Sequence, residues 1–355
     1  MQFSYIPIAA VLGMAALSTS AQAQVQVYGA IDTYLEAYDN GPKTTMRVSS
    51  GGYTGSFFGL RGSEDLGGGL KVLFRLESAF LGDDGTVGDG ASYLFNRMAF
   101  VGLAGGFGQV TLGRQTTPYF LTLAANDPAG FTLASPMTYF FVPTKLNGGK
   151  KGPPDDRLAR RDNAVRYETP RMAGLQAIAY VALGEQQGSN SEGNVYNLAL
   201  HYQRGALDGR ASYLQQKTFA LPGNTDRYWA ATLSYDFGVF APALSFADRS
   251  GSAPGTSQMQ AWQIGASMPL AGGKLIANFG QFHDQKKADA DARAWGLRYD
   301  YPLSKRTTLY GGYTGIDNEA AANFSIAAGG YMSKGLEGPL GADPRSAFVG
   351  VAHRF

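Results

Sequence analysis

From Gln24 onward, apolar and polar residues alternate with period two, and no stretch there is apolar for the ~18 residues that a membrane-crossing helix needs. Trp229, Ala231, Leu233, Tyr235 and Phe237 form one series, interleaved with Tyr228, Ala230, Thr232, Ser234 and Asp236. The pattern repeats at Tyr196, Leu198, Leu200 and Tyr202, and again at Trp295, Leu297, Tyr299 and Tyr301. Such a chain folds into strands with two unlike faces, one apolar and aromatic, the other polar, charged or small.

Residues 1–23 break the pattern. Ile6 to Leu17 is an apolar run, and Ala21-Gln22-Ala23 supplies an A-x-A cleavage site, so this segment reads as a secretory signal although Met1 to Tyr5 carries no Lys or Arg. An exported chain without a spanning helix is either soluble or a barrel.

A soluble sandwich also alternates, so other features must decide. Aromatic residues gather at strand ends, as in Tyr235/Phe237 and Tyr299/Tyr301, where a lipid-facing barrel places its girdles. The alternating segments, from 25–38 to 345–355, number about 16, an even count within the range of bacterial outer-membrane barrels. Short links such as Leu66-Gly67-Gly68-Gly69 and Pro302-Leu303-Ser304-Lys305 take turns with longer ones at 39–54, 83–92, 116–160, 185–193, 218–226, 251–257, 285–291 and 317–344. Turns at one end and long loops at the other give that rhythm. An open edge in a bilayer leaves unpaired N–H and C=O groups, each costing several kcal/mol, so Val25–Tyr38 is expected to pair with Arg345–Phe355. The fold class is therefore all-β: a transmembrane antiparallel barrel forming one domain over 24–355.

Composition closes off other classes. With no cysteine there is no disulfide, thiolate or cysteine metal site. A net charge of +2 gives no sign of nucleic-acid binding.

Several segments carry a family resemblance. Gln26-Val27-Tyr28-Gly29-Ala30-Ile31-Asp32 resembles the opening strand of the general porins of β-proteobacteria and neisseriae. Gly59-Leu60-Arg61-Gly62-Ser63-Glu64-Asp65-Leu66-Gly67-Gly68-Gly69-Leu70 is similar to that family's most specific signature. Asn96 to Leu103, Phe107 to Gln115, Asp162 to Pro170, Leu303 to Thr307 and the closing His353-Arg354-Phe355 continue the likeness. The resemblance covers the whole chain after residue 23. It implies about 16 strands, a third long loop folded into the lumen, and a passive channel for small hydrophilic solutes and ions. It also implies a homotrimer in outer-membrane lipid and lipopolysaccharide, no cofactor or metal, and a terminal Phe355 read by the barrel-assembly machinery.

The loop at about 116–160 exceeds the ~12–15 residues beyond which a structureless loop needs a functional reason. In the family this loop presents acids to the pore, and Asn126-Asp127-Pro128 sits where such an acid is placed, so Asp127 is the first candidate. The same tripeptide is also an ordinary turn-former.

Parity selects the wall. If Phe58 and Leu60 face lipid, Arg61 faces inward; if Val72, Phe74 and Leu76 face lipid, Lys71, Arg75 and Glu77 face inward. With Met98 and Phe100 outward, Arg97 points in; with Val165 and Tyr167 outward, Arg166 points in, and Arg160 shares its parity. Arg298 follows by the same count. A Lys or Arg on the lipid face near the midplane costs ~2–4 kcal/mol, which drives the assignment. Where the family often has a luminal arginine, two residues ahead of its Gly-x-Arg-Gly glycine, this chain has Phe57; Arg47, Lys145, Lys150 or Lys151 are candidates to compensate. Mild anion preference is expected.

Other signals are weaker. His201, His283 and His353 form no zinc spacing. His201 has inward parity with Ser212 on the next strand, but no third orienting group is indicated for a barrel enzyme. Asp83-Asp84-Gly85 and Asp89 offer oxygen ligands for Ca²⁺ but read better as a turn. The alternatives to a general channel are a channel selective for small organic anions, an outer-membrane enzyme such as a phospholipase, and an adhesin or structural barrel.

Overall fold

The computed structural model describes residues 24–88, 93–141, 158–189, 191–217, 225–252, 258–326 and 338–355. The expected signal at 1–23, Asp89, and Lys145, Lys150 and Lys151 lie outside them. The elements are β1 (Gln24–Asp39), β2 (Thr44–Ser50), β3 (Phe57–Gly67), β4 (Leu70–Ala79), β5 (Met98–Gly105), β6 (Gly108–Thr116), α1 (Pro118–Ala125), α2 (Pro136–Phe141), β7 (Arg160–Glu168), β8 (Leu175–Ala182) and β9 (Val195–Arg204). They continue with β10 (Leu207–Lys217), β11 (Thr225–Tyr235), β12 (Ala241–Gly251), β13 (Met259–Leu270), β14 (Gly273–Asp284), β15 (Ala292–Pro302), β16 (Thr307–Asn318) and β17 (Arg345–Arg354).

Every strand from β3 to β17 pairs antiparallel with its successor, and β17 returns to β1, from Ala30↔Arg354 to Asp39↔Arg345. The sheet closes, as the cost of an open edge in lipid requires. Gly29 and Phe355 complete the seam by exchanging two backbone hydrogen bonds of 3.1 Å, and the Phe355 ring lies where a side chain on Gly29 would otherwise go.

Seventeen strand segments make a 16-stranded barrel because β2 and β3 share one position. Both pair with the same edge of β1: Thr33–Asp39 against β2, Gln24–Ala30 against β3. Sequence patterning places a loop over 39–54, so β2 is a correction to it. What lies between is a bulge. Residues 51–56 stand opposite only Ile31 and Asp32, four residues more than a continuous ladder holds.

The outward face is mostly apolar. Val27, Leu198, Leu200, Trp229, Leu233, Ile264, Leu297, Val349 and Val351 are exposed on it, the signature of a wall solvated by lipid. Tyr235 with Phe237, and Tyr299 with Tyr301, pack together at the end that carries the short turns. On the other parity the wall mixes polar residues such as Asn197, Thr232 and Gln263 with apolar ones such as Leu214, Ala230 and Phe282, and much of it is buried where residues 117–141 lie against it. Thr117 opens α1 by accepting a hydrogen bond from Phe120 N (3.2 Å), and Pro118 fits the first turn, where its missing N–H costs nothing.

Candidate functional site

Polar side chains of the inward parity hold residues 117–141 along the wall. Asn197 Oδ1 accepts from Tyr119 N (2.8 Å), and Asn126 Nδ2 donates to Thr232 Oγ1 (3.1 Å) and Asp208 Oδ1 (3.2 Å). Gln263 Oε1 accepts from Met137 N (3.0 Å), and Asn278 Nδ2 donates to Ala134 O (2.9 Å). Tyr139 shares a hydrogen bond with Thr314 (2.9 Å). Glycine makes the approach possible on three successive strands. A Cβ on Gly265 would meet Pro128, one on Gly280 would meet Pro136, and one on Gly296 would lie 2.4 Å from Ala134 Cα.

Arg298 faces inward, as parity requires, but it is buried and its donors are engaged. Its Nη1 donates to Ala129 O (3.1 Å), Thr132 Oγ1 (2.7 Å) and Leu133 O (3.0 Å), while its Nε meets Asp300 Oδ1 at 2.8 Å. It acts as a latch on the loop. Asp127 also departs from expectation. Its carboxylate is buried and accepts from Ala129 N (2.8 Å) and from the Ser135 hydroxyl, so it caps the loop's own turn and does not face open water. The turn-forming reading of Asn-Asp-Pro is the one this geometry follows.

A cationic cluster lies on β3, β4 and the residue ahead of β5. Arg61 and Arg75 are directly opposite across the β3–β4 ladder. Arg61 lies over the Tyr28 ring (4.5 Å) and donates to Gln26 Oε1 (2.9 Å). Glu77 is buried beside them: it accepts from Tyr28 Oη (2.5 Å) and Arg97 Nε (3.1 Å), with Arg75 Nη1 3.8 Å away. Phe57 enters the lumen face and serves Arg97, whose guanidinium lies 4.5 Å from the ring centroid. The Glu77 carboxylate thus faces two guanidinium groups, and Arg61 stands across the ladder from one of them. Arg47, a candidate substitute for the missing arginine, is paired with Glu36 at 2.7 Å.

Two parity assignments are corrected by the structure. Met98 and Phe100 lie opposite the inward Glu77 and Arg75, so they face the lumen, and the exposed Val101 and Leu103 face lipid. Arg97 arrives from just ahead of β5, not by alternation within it. In β7, the register shifts between Gly113 and Gln115 and Asn163 has φ 55°, so the count does not carry from Arg166 to Arg160. Beyond the bulge it is Arg161 that reaches inward, donating to Gln216 Oε1 at 2.5 Å. Arg166 faces inward as expected and pairs with Glu168 at 2.8 Å.

His201 contacts Asp208 (3.0 Å) and Arg171 (3.0 Å), whereas Ser212 bonds Asn197 and Leu198 O, so the two do not form a nucleophile–base pair. Asp84 Oδ1 accepts from Thr86 N and Oγ1 within its own turn. Sequence reasoning missed Tyr28 and the 51–56 bulge. The inward glycines on β13–β15 were a signal it could have used.

Comparison with known proteins agrees with this architecture. The model of a family described as Gram-negative porin matches residues 9–355. Outer membrane porin protein 32 of Delftia acidovorans is 32% identical over 94% of this chain and 95% of its own. The solved structure of an anion-selective porin from Comamonas acidovorans superposes with a TM-score of 0.82 at 28% identity, covering 94% of this chain and all (100%) of that one. A trimer form of the outer membrane protein OmpT of Vibrio cholerae has a TM-score of 0.67 at 16% identity, over 94% and 99% of the two chains, a likeness of fold alone.

Proposed function

Starting from the fact that the chain belongs to the Gram-negative porin family, we propose that its lumen is a mildly anion-preferring filter lined by Arg61, Arg75 and Arg97. The protein itself is a passive outer-membrane channel and not an enzyme; it is an integral β-barrel of that membrane.

The observation that carries the selectivity is the grouping of Arg61, Arg75 and Arg97 on the inward side of β3–β5, where Glu77 is the carboxylate ion-paired with two of them. A ring of like charge sets ion preference in a narrow aqueous path. The partners of Arg298 and Arg166 neutralise them locally, so they add little to that field. The anion selectivity of the Comamonas acidovorans porin points the same way. The loop at about 116–160 is the constriction element, with Asp127 supporting its turn from within.

The working assembly is a homotrimer embedded in outer-membrane lipid and lipopolysaccharide, reached after loss of residues 1–23. The assembly machinery reads the terminal Phe355, a reading supported by its exposure beside Gly29 on the outer face.

Planar-bilayer recording tests the reading. Stepwise conductance in triplets per insertion is expected, with a reversal potential in a KCl gradient that favours chloride. Cation selectivity would refute the charge assignment, and a folded protein that does not conduct would refute the channel.

A further inference from the structure

The bulge at 51–56 does more than absorb four residues. It projects to the inward side and touches each part of the proposed constriction. Gly52 O accepts from Leu133 N in the loop (3.2 Å). The Tyr53 ring lies against Tyr310 (centroids 5.7 Å apart) and beneath two guanidinium groups, Arg298 at 5.2 Å and Arg354 at 5.8 Å. At the other end, a Cβ on Gly55 would stand 3.3 Å from Arg97 Nη1.

One buried side chain holds this shape. Asp32 on β1 faces inward, and its Oδ2 accepts from Tyr53 N (2.6 Å) and Thr54 N (2.7 Å), while its Oδ1 accepts from Tyr310 Oη (2.5 Å). Its backbone is engaged as well: Ser56 Oγ accepts from Asp32 N (3.0 Å), and Ser50 Oγ donates to Asp32 O (2.9 Å). Successive backbone N–H groups pointed at one carboxylate are a strong local clamp. A bulge next to a functional site re-aims side chains that a regular ladder would direct elsewhere.

We infer that residues 51–56 form a second lip of the constriction, facing the tip of the loop at 129–135, with Tyr53 as a selectivity-determining residue and Asp32 as the positioning residue that fixes the lip. Tyr53 covers one face of the exposed Arg354 and so limits how much of its charge a passing ion meets, whereas Arg298 behind the same ring is already paired with Asp300. The lip fixes the loop tip through Leu133, so the aperture is set by two elements that lie far apart in sequence. This inference rests on the protein conducting as proposed above.

The register supplies a clean test. Because the bulge holds four residues too many, deleting Gly52, Tyr53, Thr54 and Gly55 joins β2 to β3 as a continuous strand, with Gly51 opposite Asp32 and Ser56 opposite Ile31. The deletion is combined with Asp32→Asn so that no unpaired carboxylate is left inside. In planar bilayers this variant is expected to conduct at least about 1.5 times as much as wild type and to pass larger sugars in liposome swelling. Tyr53→Ala, which leaves the backbone intact, is expected to raise the chloride-to-potassium permeability ratio about twofold, through uncovering Arg354. Asp32→Ala is expected to change conductance in the full chain and to move the chloride-to-potassium permeability ratio in the same direction as Tyr53→Ala, a readout that a loss of stability alone would not move. Wild-type conductance, cut-off and permeability ratio in folded Tyr53→Ala and Asp32→Ala variants would overturn the inference, even if the deletion failed to fold. A wild-type protein that does not conduct would instead sink the channel reading itself.

Discussion

Gly296→Ala adds one carbon atom at the point where β15 and the inner loop touch. The new Cβ would lie 2.4 Å from Ala134 Cα, 2.6 Å from its Cβ and 2.7 Å from its carbonyl oxygen. Non-bonded carbons rest at about 3.5–4.0 Å, so one side must retreat by more than ~1 Å. The strand is hydrogen-bonded on both edges, to β14 and β16, and the loop is the softer partner. Its retreat stretches Asn278 Nδ2–Ala134 O (2.9 Å) and Arg298 Nη1–Leu133 O (3.0 Å) past useful length. One neutral and one charge-assisted hydrogen bond at roughly 1 and 1.5–3 kcal/mol put the loss at ~2.5–4 kcal/mol, confined to the loop. Limited proteolysis within residues 117–141 should therefore accelerate by a factor of ~30 or more, while the barrel stays folded, since each 1.4 kcal/mol is about tenfold when opening precedes cleavage. Single-channel traces should show added flicker. The control is Gly209→Ala, where the nearest atom to the new Cβ is the flexible Leu233 Cδ1 at 3.3 Å, and proteolysis should match wild type. Equal cleavage rates in the two variants would show that Gly296 does not serve the loop.

Three further outcomes are expected. Asp127→Asn should leave the reversal potential unchanged, because the carboxylate faces the turn, yet should loosen the loop in the same proteolysis assay by weakening its bonds to Ala129 N and the Ser135 hydroxyl; a shift toward anions would put the acid in the pore after all. Arg61→Gln combined with Arg75→Gln should move the reversal potential toward potassium. That shift should be larger in 0.1 M than in 1 M KCl, where the screening length falls from about 10 Å to about 3 Å. Gly29→Val should slow the appearance of heat-resistant barrel in refolding assays, since its side chain would collide with Phe57 O and the Phe355 ring, both 2.5 Å from the Cβ position; refolding at the wild-type rate would count against the seam as a limiting step.

The parts of the fold that were legible in sequence are those where the two faces differ chemically. β11 alternates Trp229, Ala231 and Leu233 with Tyr228, Ala230 and Thr232, and it folds as a strand with that parity. β5 is apolar on both faces, with Met98 and Phe100 inward and Val101 and Leu103 outward, so alternation there has no sign to read. Parity cannot assign Arg160 from Arg166, because a bulge inserts one residue between them and inverts the count. β2 was hidden because the pairing that defines it is interrupted by the excursion over Asp32. For Asp127 the loop was identifiable, but the direction of a carboxylate within a turn depends on contacts such as Ser135, eight residues away, that no local pattern encodes.

The seam between Gly29 and Phe355 also governs the order of events in folding. A barrel closed by its first and last strands has its defining contact at nearly the greatest sequence separation the chain allows. Hairpins between neighbouring strands form early at small entropic cost, but the closing pair must wait until the last residue is available. Until then β1 and β17 are bare edges, each able to template pairing with another chain. The time spent unsealed, rather than the stability of the sealed barrel, then decides how much of the protein is lost to aggregation.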